Sequence, residues 1–559
     1  MTGASARLLG RCAVAVFMAA CVILGGTEGR VADAASFLRP AISAPVVSVN
    51  TDGTVNVVVE VTTVTEDVRY DADDTTRTRK MTSGVYDLRL FRDGQLIGTS
   101  TPREKTEQYI RDAPAAVAKD RIAYAKDPKS AVFNTNEDKL WRANNDVFST
   151  VAPNIKILPS AKPGEPSTRA EVTFRNVKLP RDGRAEVEFS AYAFNVDRVK
   201  SETVRTTYKI ANPEKRQGRA FLISIGVNAS ENKAFNLKYA ANDARKMQEV
   251  IGERLNVDAN SFSEVIKIPL ISDHQTEKFA MVNDARKAVI KGVFAMLAGT
   301  SISDAAAEMA KSDKTLAVAF AGSPYFQKIK PVEPEDTVII TYAGHGYADQ
   351  SGIFYLLPQD IGTDTSKLTT EGIGRMISSD ELSLWMQDVT AAEMIMVIDA
   401  CHSSSAVQGD GFKPGPMGSR GLGQLAYDKG MKILSATQAD NVALELGNLK
   451  QGLLSYVLLE DGVIAKKADS GTAPDGKLTP SEWLGYAVNA VPKLYQDVLE
   501  GKRSINVGGN TVDVSKVPLA QRDVTVYGAD PQDRKSMVQQ PSVFDFRRKK
   551  DERALIALK

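Results

Sequence analysis

Two residues of this sequence have both the side chains and the positions for nucleophilic catalysis. His345 stands in the run 343–346, after the apolar segment TVIITY, and Cys401 stands in the run 399–402, after the apolar segment MIMVI. A thiolate attacks acyl carbonyls well, and a neighbouring imidazole can ionise the thiol and later protonate a leaving amine. The pair therefore predicts acyl transfer, with peptide-bond cleavage as the natural reaction.

The glycine after His345 adds a third chemical feature. Gly346 has no side chain, so a substrate can approach its backbone, and its N–H, together with that of Cys401, can stabilise an oxyanion. Cysteine and histidine also have ordinary structural roles, which are the alternative to catalysis here. Most free cysteines are small buried hydrophobic residues. The other two histidines are interpreted as a surface residue, His274, and a structural residue, His402.

Buried strands of an α/β sheet are expected to position the two residues. Short apolar runs of strand length occur at 220–227, 337–342, 353–357, 394–398 and 431–435. Such runs are typical of parallel strands covered on both faces, and ligands bind at the carboxyl ends of these strands. Helices are predicted between them at about 242–255, at 378–387 behind a capping box, and at 451–459. The sequence therefore predicts a three-layer α/β domain over 218–495, with His345 and Cys401 in loops at one edge.

The region before this domain has a different pattern. Between about 44 and 211 apolar and polar residues alternate, as at 55–62, and Asp-Gly pairs at 93–94 and 182–183 mark hairpin turns. We therefore expect an antiparallel β-sandwich domain, Ig-like in architecture, over 38–211. It would contain a polar, partly helical insertion at about 101–169 and would position partners or restrain the site. Residues 496–559 are a polar C-terminal extension, packed on the sheet or partly disordered.

The length, the net charge and the N-terminal residues of the sequence limit the classes of function that it can have. The 559 residues suffice for about two to four domains. A total of 70 Lys and Arg against 69 Asp and Glu leaves no basic field to attract nucleic acid. Residues 1–34 are typical of a signal peptide, with an apolar run over 12–26 and small residues at 32–34. We expect a periplasmic or secreted protein without a membrane span after cleavage; the alternative is anchoring by an uncleaved N-terminal segment.

Several pieces of the sequence resemble the caspase-like domain of the metacaspase and bacterial orthocaspase family. In order, they are RAFLISIGVN, LKYAANDARKM, DTVIITYAGHG, YLLPQD, MVIDACHSS, KILSAT and GLLSYVLLEDG. The resemblance implies a caspase-haemoglobinase fold, which is a three-layer αβα domain with a mainly parallel sheet. It also implies that Cys401 is the nucleophile, His345 the acid–base partner and the Gly346 amide part of the oxyanion site.

The same resemblance implies a substrate pocket lined by Asp243 and Asp399. Two carboxylates there would select Arg or Lys before the cut, because a buried cation needs a paired charge. Simpler interpretations are that Asp243 caps a helix and that Asp399 is a loop carboxylate held by amides. The expected partners are therefore proteins or peptides with Arg or Lys before the cut. No cofactor is expected and no metal is assigned, because the acidic residues do not have calcium-loop spacing.

The sequence also departs from the family pattern. Three serines at 403–405 follow the Cys-His pair, where the family commonly has glycine, and the signature of the aspartate-cutting animal caspases is absent. The basic, glycine-rich stretch 408–423 is expected to be flexible, and Lys413 and Arg420 would suit self-cleavage there; an uncut surface loop is the alternative. Two other functions stay open: a legumain-like or gingipain-like peptidase with a different specificity, and a caspase-fold scaffold with little activity.

Overall fold

The structure is a computed structural model that describes most of the chain between residues 38 and 558. The described ranges are 38–69, 78–108, 110–112, 152–165, 167–195, 199–256, 262–273, 285–348, 353–362, 370–402, 419–436, 443–446, 450–469, 474–500, 504–507, 510–513, 524–527, 538–546 and 552–558. The predicted signal peptide lies outside them. Within these ranges no helix is both long enough and apolar enough to cross a membrane.

Antiparallel sheets make up the region before residue 210. Their strands are β1 Ala41–Ile42, β2 Val46–Val49, β3 Val55–Thr62, β4 Thr65–Arg69, β5 Thr78–Thr82, β6 Asp87–Arg92, β7 Gln95–Thr99, β8 Ile155–Ile157, β9 Arg169–Val177, β10 Glu186–Phe194 and β11 Val204–Lys209. One sheet has the order β1-β3-β9-β8 with β2 beside β3, and another has the order β11-β10-β6-β7. The described part of the polar insertion is helical at 103–108 and 110–112.

The two larger sheets share one hydrophobic core. Strand β3 buries every second residue, as the alternation predicts, and its valines pack with Leu88 and Leu90 of β6 and Phe189 of β10. Both predicted Asp-Gly turns contain residues with positive φ, namely Asp93, Gly94 and Gly183. Two sheets packed on one core are what a sandwich requires, whereas an Ig-like strand order stays a prediction.

The rest of the chain is built around a mixed sheet. Its strands and those of the smaller sheets are β12 Ala220–Val227, β13 Val265–Ser272, β14 Thr337–Ala348, β15 Phe354–Leu356, β16 Ile377–Ser378, β17 Glu393–His402, β18 Lys432–Ser435, β19 Ala443–Leu446, β20 Gln451–Gly452, β21 Lys477–Leu478, β22 Ser504–Val507, β23 Asn510–Asp513, β24 Val524–Tyr527, β25 Ser542–Asp545 and β26 Ile556–Ala557. The main order is β13-β12-β14-β17-β18-β25. The neighbouring strands β13, β12, β14, β17 and β18 run parallel to one another, and β25 pairs antiparallel with β18.

Helices cover both faces of this sheet and give the three layers that the sequence predicts. They are α1 Ala240–Lys246, α2 Gly252–Asn256, α3 Lys287–Leu297, α4 Ile302–Met309, α5 Lys314–Gly322, α6 Thr370–Arg375, α7 Ser379–Trp385, α8 Ser419–Lys429, α9 Leu453–Tyr456 and α10 Pro480–Glu500. One core lies between the sheet and α3, α5, α7 and α8. The other lies between the sheet and α9 and α10. The predicted capping box at the start of α7 is confirmed, with Ser378 and Glu381 bonding reciprocally.

The C-terminal residues belong to this second half. Strand β25 pairs with β18 at the sheet edge, and β26 pairs with β21. The buried Lys432 of β18 forms ion pairs with Asp545 and Glu552 and donates to the Ser481 hydroxyl. Strand β25 of the extension is therefore part of the sheet.

Candidate active site

His345 and Cys401 are neighbours across two parallel strands. In the ladder of β14 and β17, His345 is the register partner of Cys401, and Gly346 is the partner of His402. Neighbouring strands lie about 4.8 Å apart, so the backbones of the two residues lie side by side near the carboxyl ends of their strands, as the sequence predicts. Contact between their side chains stays a prediction. The prediction that the two residues lie in loops is wrong, because both strands continue through them.

The His345 ring is buried and held by Phe235. The imidazole is 6% exposed, and its ring stands edge-on to the Phe235 ring, with centroids 5.7 Å apart. Burial lowers the pKa of His345 to about 4, although a hydrogen bond to the backbone carbonyl of Phe235 works in the opposite direction. The ring is therefore neutral near pH 7, which is the form that accepts a proton.

The backbone around His345 is fixed by hydrogen bonds. The Tyr342 hydroxyl donates to the carbonyls of His345 and Leu357, at 2.8 Å each, and the Leu357 N–H donates to the His345 carbonyl at 3.1 Å. A Cβ at Gly344 would lie 2.5 Å from the Tyr342 hydroxyl oxygen. Glycine at 344 thus gives this hydroxyl the space in which it makes both bonds.

Gly346 lies inside β14, between two partner strands. It is the register partner of Leu356 on β15 as well as of His402 on β17. A Cβ at this position would lie 2.9 Å from Phe354 Cζ and 3.1 Å from Ala400 Cβ. Close packing therefore requires glycine here, which corrects the expectation that the missing side chain leaves room for substrate. An oxyanion role for its amide stays a prediction.

Asp243 and Asp399 both lie against Gly452. Asp243 lies in the first turn of α1, is 3% exposed and accepts the Gly452 N–H at 3.0 Å. Asp399 lies on β17. A Cβ at Gly452 would be 2.8 Å from Asp399 Oδ2 and 3.2 Å from Asp243 Oδ2. Asp243 and Asp399, which are distant in sequence, thus form an acidic cluster. Its member Asp399 precedes Cys401 by two positions on β17.

Asp399 is held by Ser455. Its Oδ2 accepts the Ser455 hydroxyl at 2.7 Å and the Ser455 N–H at 3.1 Å. Burial raises the pKa of Asp399, and these two bonds oppose the rise. The interpretation of Asp399 as a carboxylate held by amides is therefore correct in part. The part of that interpretation that places Asp399 in a loop is wrong, because β17 continues through it.

The geometry agrees with a comparison to known families. Residues 325–470 match the family model of the caspase domain (Peptidase_C14). This part of the chain is a caspase domain. The match includes β14, β17 and Gly452, whereas Asp243 precedes it. It identifies a domain of the caspase-like cysteine peptidases. No curated protein matches the chain.

Several predicted features of the caspase domain lie outside the described residues. These are His274, the serines 403–405, Lys413 and the part of the basic stretch at 408–418. The remaining residues of that stretch, 419–423, form the first turn and a half of α8. The prediction of a flexible segment is therefore wrong for Arg420, which lies on this helix.

Some residues of the site carry no role in the sequence-based prediction. Gly452 and Ser455 belong to the piece GLLSYVLLEDG, which marks the resemblance, and the apolar residues around Ser455 make a buried serine conspicuous. Phe235 and Tyr342 have no comparable signal, because their roles depend on contacts across the fold. Among the described residues, no group of three His, Cys, Asp or Glu side chains is clustered as a metal site would need.

Proposed function

We propose that the protein is a cysteine endopeptidase that cuts after Arg or Lys, with Cys401 as nucleophile and His345 as acid–base partner. The observation that carries the proposal is the register pairing of these two residues inside a caspase domain. The acidic cluster beside them supports the specificity. Proteins and peptides are the substrate class that the domain implies.

The reaction follows from the two side chains. His345, neutral near pH 7, takes the thiol proton, and the Cys401 thiolate attacks the carbonyl carbon before the scissile bond. The tetrahedral intermediate carries its negative charge on the former carbonyl oxygen, where the amides of Gly346 and Cys401 would donate. Collapse breaks the C–N bond, and the imidazolium gives its proton to the leaving amine. Water, deprotonated by His345, then hydrolyses the thioester and regenerates the thiol.

The acidic cluster supports selection of a cation. Asp243 and Asp399 would flank the side chain that precedes the cut, and a guanidinium or ammonium would offset the burial of their charge. A substrate carboxylate would add a third negative charge to the same volume. Selection of Arg or Lys over Asp therefore follows from charge alone.

Finer assignments rest on the sequence resemblance. We assign the domain to the metacaspase and orthocaspase type because its motifs and acidic pair match that group. We also propose export through residues 1–34 and self-cleavage within 408–423. Replacing Lys413 and Arg420 together should abolish any cut between Cys401 and Lys432, and mass spectrometry of the purified chain would detect one that persists.

A panel of fluorogenic peptides tests the proposal. Peptides that differ only in Arg, Lys, Asp or Asn before the reporter are compared on the wild type and on Cys401→Ala and His345→Ala. Cleavage after Arg and Lys that both substitutions abolish supports the proposal. Cleavage after Asn or Asp would indicate a legumain-like or otherwise different specificity, and inactivity on all four would indicate a scaffold.

A further inference from the structure

Ser455 is a buried serine in an apolar helix that faces the acidic cluster. It is 1% exposed and is flanked by Leu453, Leu454, Tyr456 and Val457, which are all buried. Serine is a poor helix former, since its hydroxyl competes for backbone groups. Here the hydroxyl instead donates to Asp399 Oδ2 at 2.7 Å, and the N–H of the same residue donates to the same oxygen at 3.1 Å.

The segment 452–455 contacts both carboxylates. The Gly452 N–H lies 3.2 Å and 3.0 Å from the two oxygens of Asp243, while Ser455 holds Asp399. Two donors on one oxygen fix the rotation of the Asp399 carboxylate about its Cβ–Cγ bond. They also favour the ionised form, because both bonds strengthen when the acceptor carries a charge.

We propose that Ser455 is a positioning residue for substrate selection, which holds Asp399 in the orientation and the ionised form that bind an Arg or Lys side chain. This inference rests on the proposed peptidase function. Ser455 itself would not touch the substrate, since it acts through Asp399. The substrate group recognised is a cation, and the hydroxyl is the part of Ser455 that is specific to this role.

The electrostatic surroundings make the hydroxyl necessary. Burial raises the pKa of Asp399, and the Ser455 bonds are what opposes it. Helix α1 carries Asp243, Arg245 and Lys246, and β14 carries His345. Arg245 forms an ion pair with Asp273 at 2.8 Å. Lys246 forms an ion pair with Glu460, with 2.9 Å between Nζ and Oε1. The hydroxyl and the N–H of Ser455 both lower the pKa of Asp399 against the effect of burial, so loss of the hydroxyl removes one of these two opposing contacts.

A purely structural role for Ser455 must be distinguished from this one. Ser455 is the third residue of the helical segment that begins at Leu453, where a backbone N–H lacks a partner within the helix. Asp399 satisfies that N–H in either case. A structural role would therefore affect folding and all substrates alike, whereas a positioning role affects only charged ones.

The test compares an Arg peptide with the same peptide carrying citrulline, its uncharged isostere. Ser455→Ala should lower the ratio of kcat/KM for Arg to that for citrulline by about ten-fold, mainly through a higher KM for Arg. Ser455→Thr, which keeps the hydroxyl, should restore the ratio. Ser224→Ala is the matched control: Ser224 is a buried serine of β12 whose hydroxyl has no hydrogen-bond partner among the described residues. It should leave the ratio unchanged.

The pH profile gives an independent readout. Without the hydroxyl the pKa of Asp399 rises further, so Asp399 takes up its proton at a higher pH. On the acidic side, kcat/KM for the Arg peptide should therefore fall at a higher pH in Ser455→Ala than in the wild type. The citrulline profile should not move.

Each outcome separates the two hypotheses. An unchanged ratio and profile in Ser455→Ala, or an equal loss on both peptides, would overturn the positioning role and leave the peptidase assignment standing. A wild type that cuts neither Arg nor Lys peptides would overturn the function itself. If Ser455→Ala does not fold, Ser455→Cys replaces it, because a thiol is only a weak donor and predicts the same change in ratio.

Discussion

Arg89 of strand β6 forms a two-pronged ion pair with Asp428 of helix α8. One guanidinium nitrogen of Arg89, Nη1, lies 3.1 and 3.0 Å from the two oxygens of Asp428, while Nε lies 3.0 Å from Asp87. Asp428 is 4% exposed at its side chain and Arg89 is 22% exposed. The pair therefore joins the antiparallel sheets to the caspase domain in a largely dry contact, on the helix that follows Cys401 along the chain.

Breaking this pair should destabilise the protein strongly. Arg89→Leu is expected to lower the free energy of unfolding by about 3 kcal/mol, since it leaves the buried carboxylate of Asp428 without its ionic partner. Combining Arg89→Leu with Asp428→Leu should cost less than Arg89→Leu alone, because that buried charge is then gone. Urea unfolding of the variants measures this. The control is Arg39→Leu, which breaks an exposed pair with Glu202 and should cost less than about 1 kcal/mol; equal costs would refute the expectation.

A similar loss of stability is expected when the buried ammonium of Lys432 loses its partners on the C-terminal residues. Asp545→Asn with Glu552→Gln removes both carboxylates that pair with Lys432 and should cost about 3 kcal/mol of unfolding free energy. Adding Lys432→Met to that background should recover most of the loss, because the unpaired charge is then gone. Thermal unfolding of the double and the triple variant checks this, and a loss that Lys432→Met does not relieve would point to strand geometry instead.

The lowered pKa of His345 links stability to pH. The folded protein keeps the ring neutral until about pH 4, whereas an unfolded histidine takes up a proton near pH 6.5. Between these values the unfolded state binds more protons, so stability is full above pH 6.5 and falls as the pH drops towards 4. His345 should contribute about 2 kcal/mol to this loss by pH 5.

His345→Gln isolates that contribution. Other titrating groups remain in both proteins, so their effect cancels in the difference between the two unfolding free energies. That difference should change with pH, because the variant should lose less stability between pH 7 and pH 5. Chemical unfolding at the two pH values is the measurement. Parallel losses in the two proteins would show that the His345 ring takes up its proton with an ordinary pKa when folded.

Local sequence patterns predicted β12, β14, β15, β17 and β18 of the central sheet, but they did not predict β13 or where β14 and β17 end. The run AFLISIGV corresponds to β12 residue for residue, whereas TVIITY continues as far as Ala348. The extension exists because β15 and β17 offer partners to residues 343–348, and such pairing depends on distant sequence. A strand in isolation would end at the glycines.

The prediction that residues 419–423 are flexible failed for a related reason, since they begin helix α8. Its two glycines, Gly421 and Gly423, predict flexibility, yet Leu422, Leu425 and Ala426 recur at helical spacing and are fully buried in the core. Tertiary packing thus outweighs local propensity. The positions of His345 and Cys401 were predictable because each follows an apolar run within its strand, while the contacts of Ser455 and Gly452 with the carboxylates required the fold.

Gly452 should control access to the acidic cluster. In Gly452→Ala the new Cβ would lie 2.8 Å from Asp399 Oδ2, 3.4 Å from its Cγ and 3.2 Å from Asp243 Oδ2. The backbone at 452 has φ −69° and ψ 151°, which alanine adopts readily, so the effect is steric and falls on the carboxylates. KM for Arg peptides should rise by about ten-fold, with a stability cost of about 1–3 kcal/mol from overpacking.

Gly485→Ala is the matched control for that substitution. Gly485 lies in α10, where an added Cβ meets nothing within 4 Å, so stability should rise by up to about 1 kcal/mol and peptide kinetics should not change. Steady-state kinetics with Arg peptides and thermal unfolding on both variants give the comparison. If Gly452→Ala kept the wild-type KM, the two carboxylates would have room to move apart, and the cluster could not select substrates by a fixed geometry.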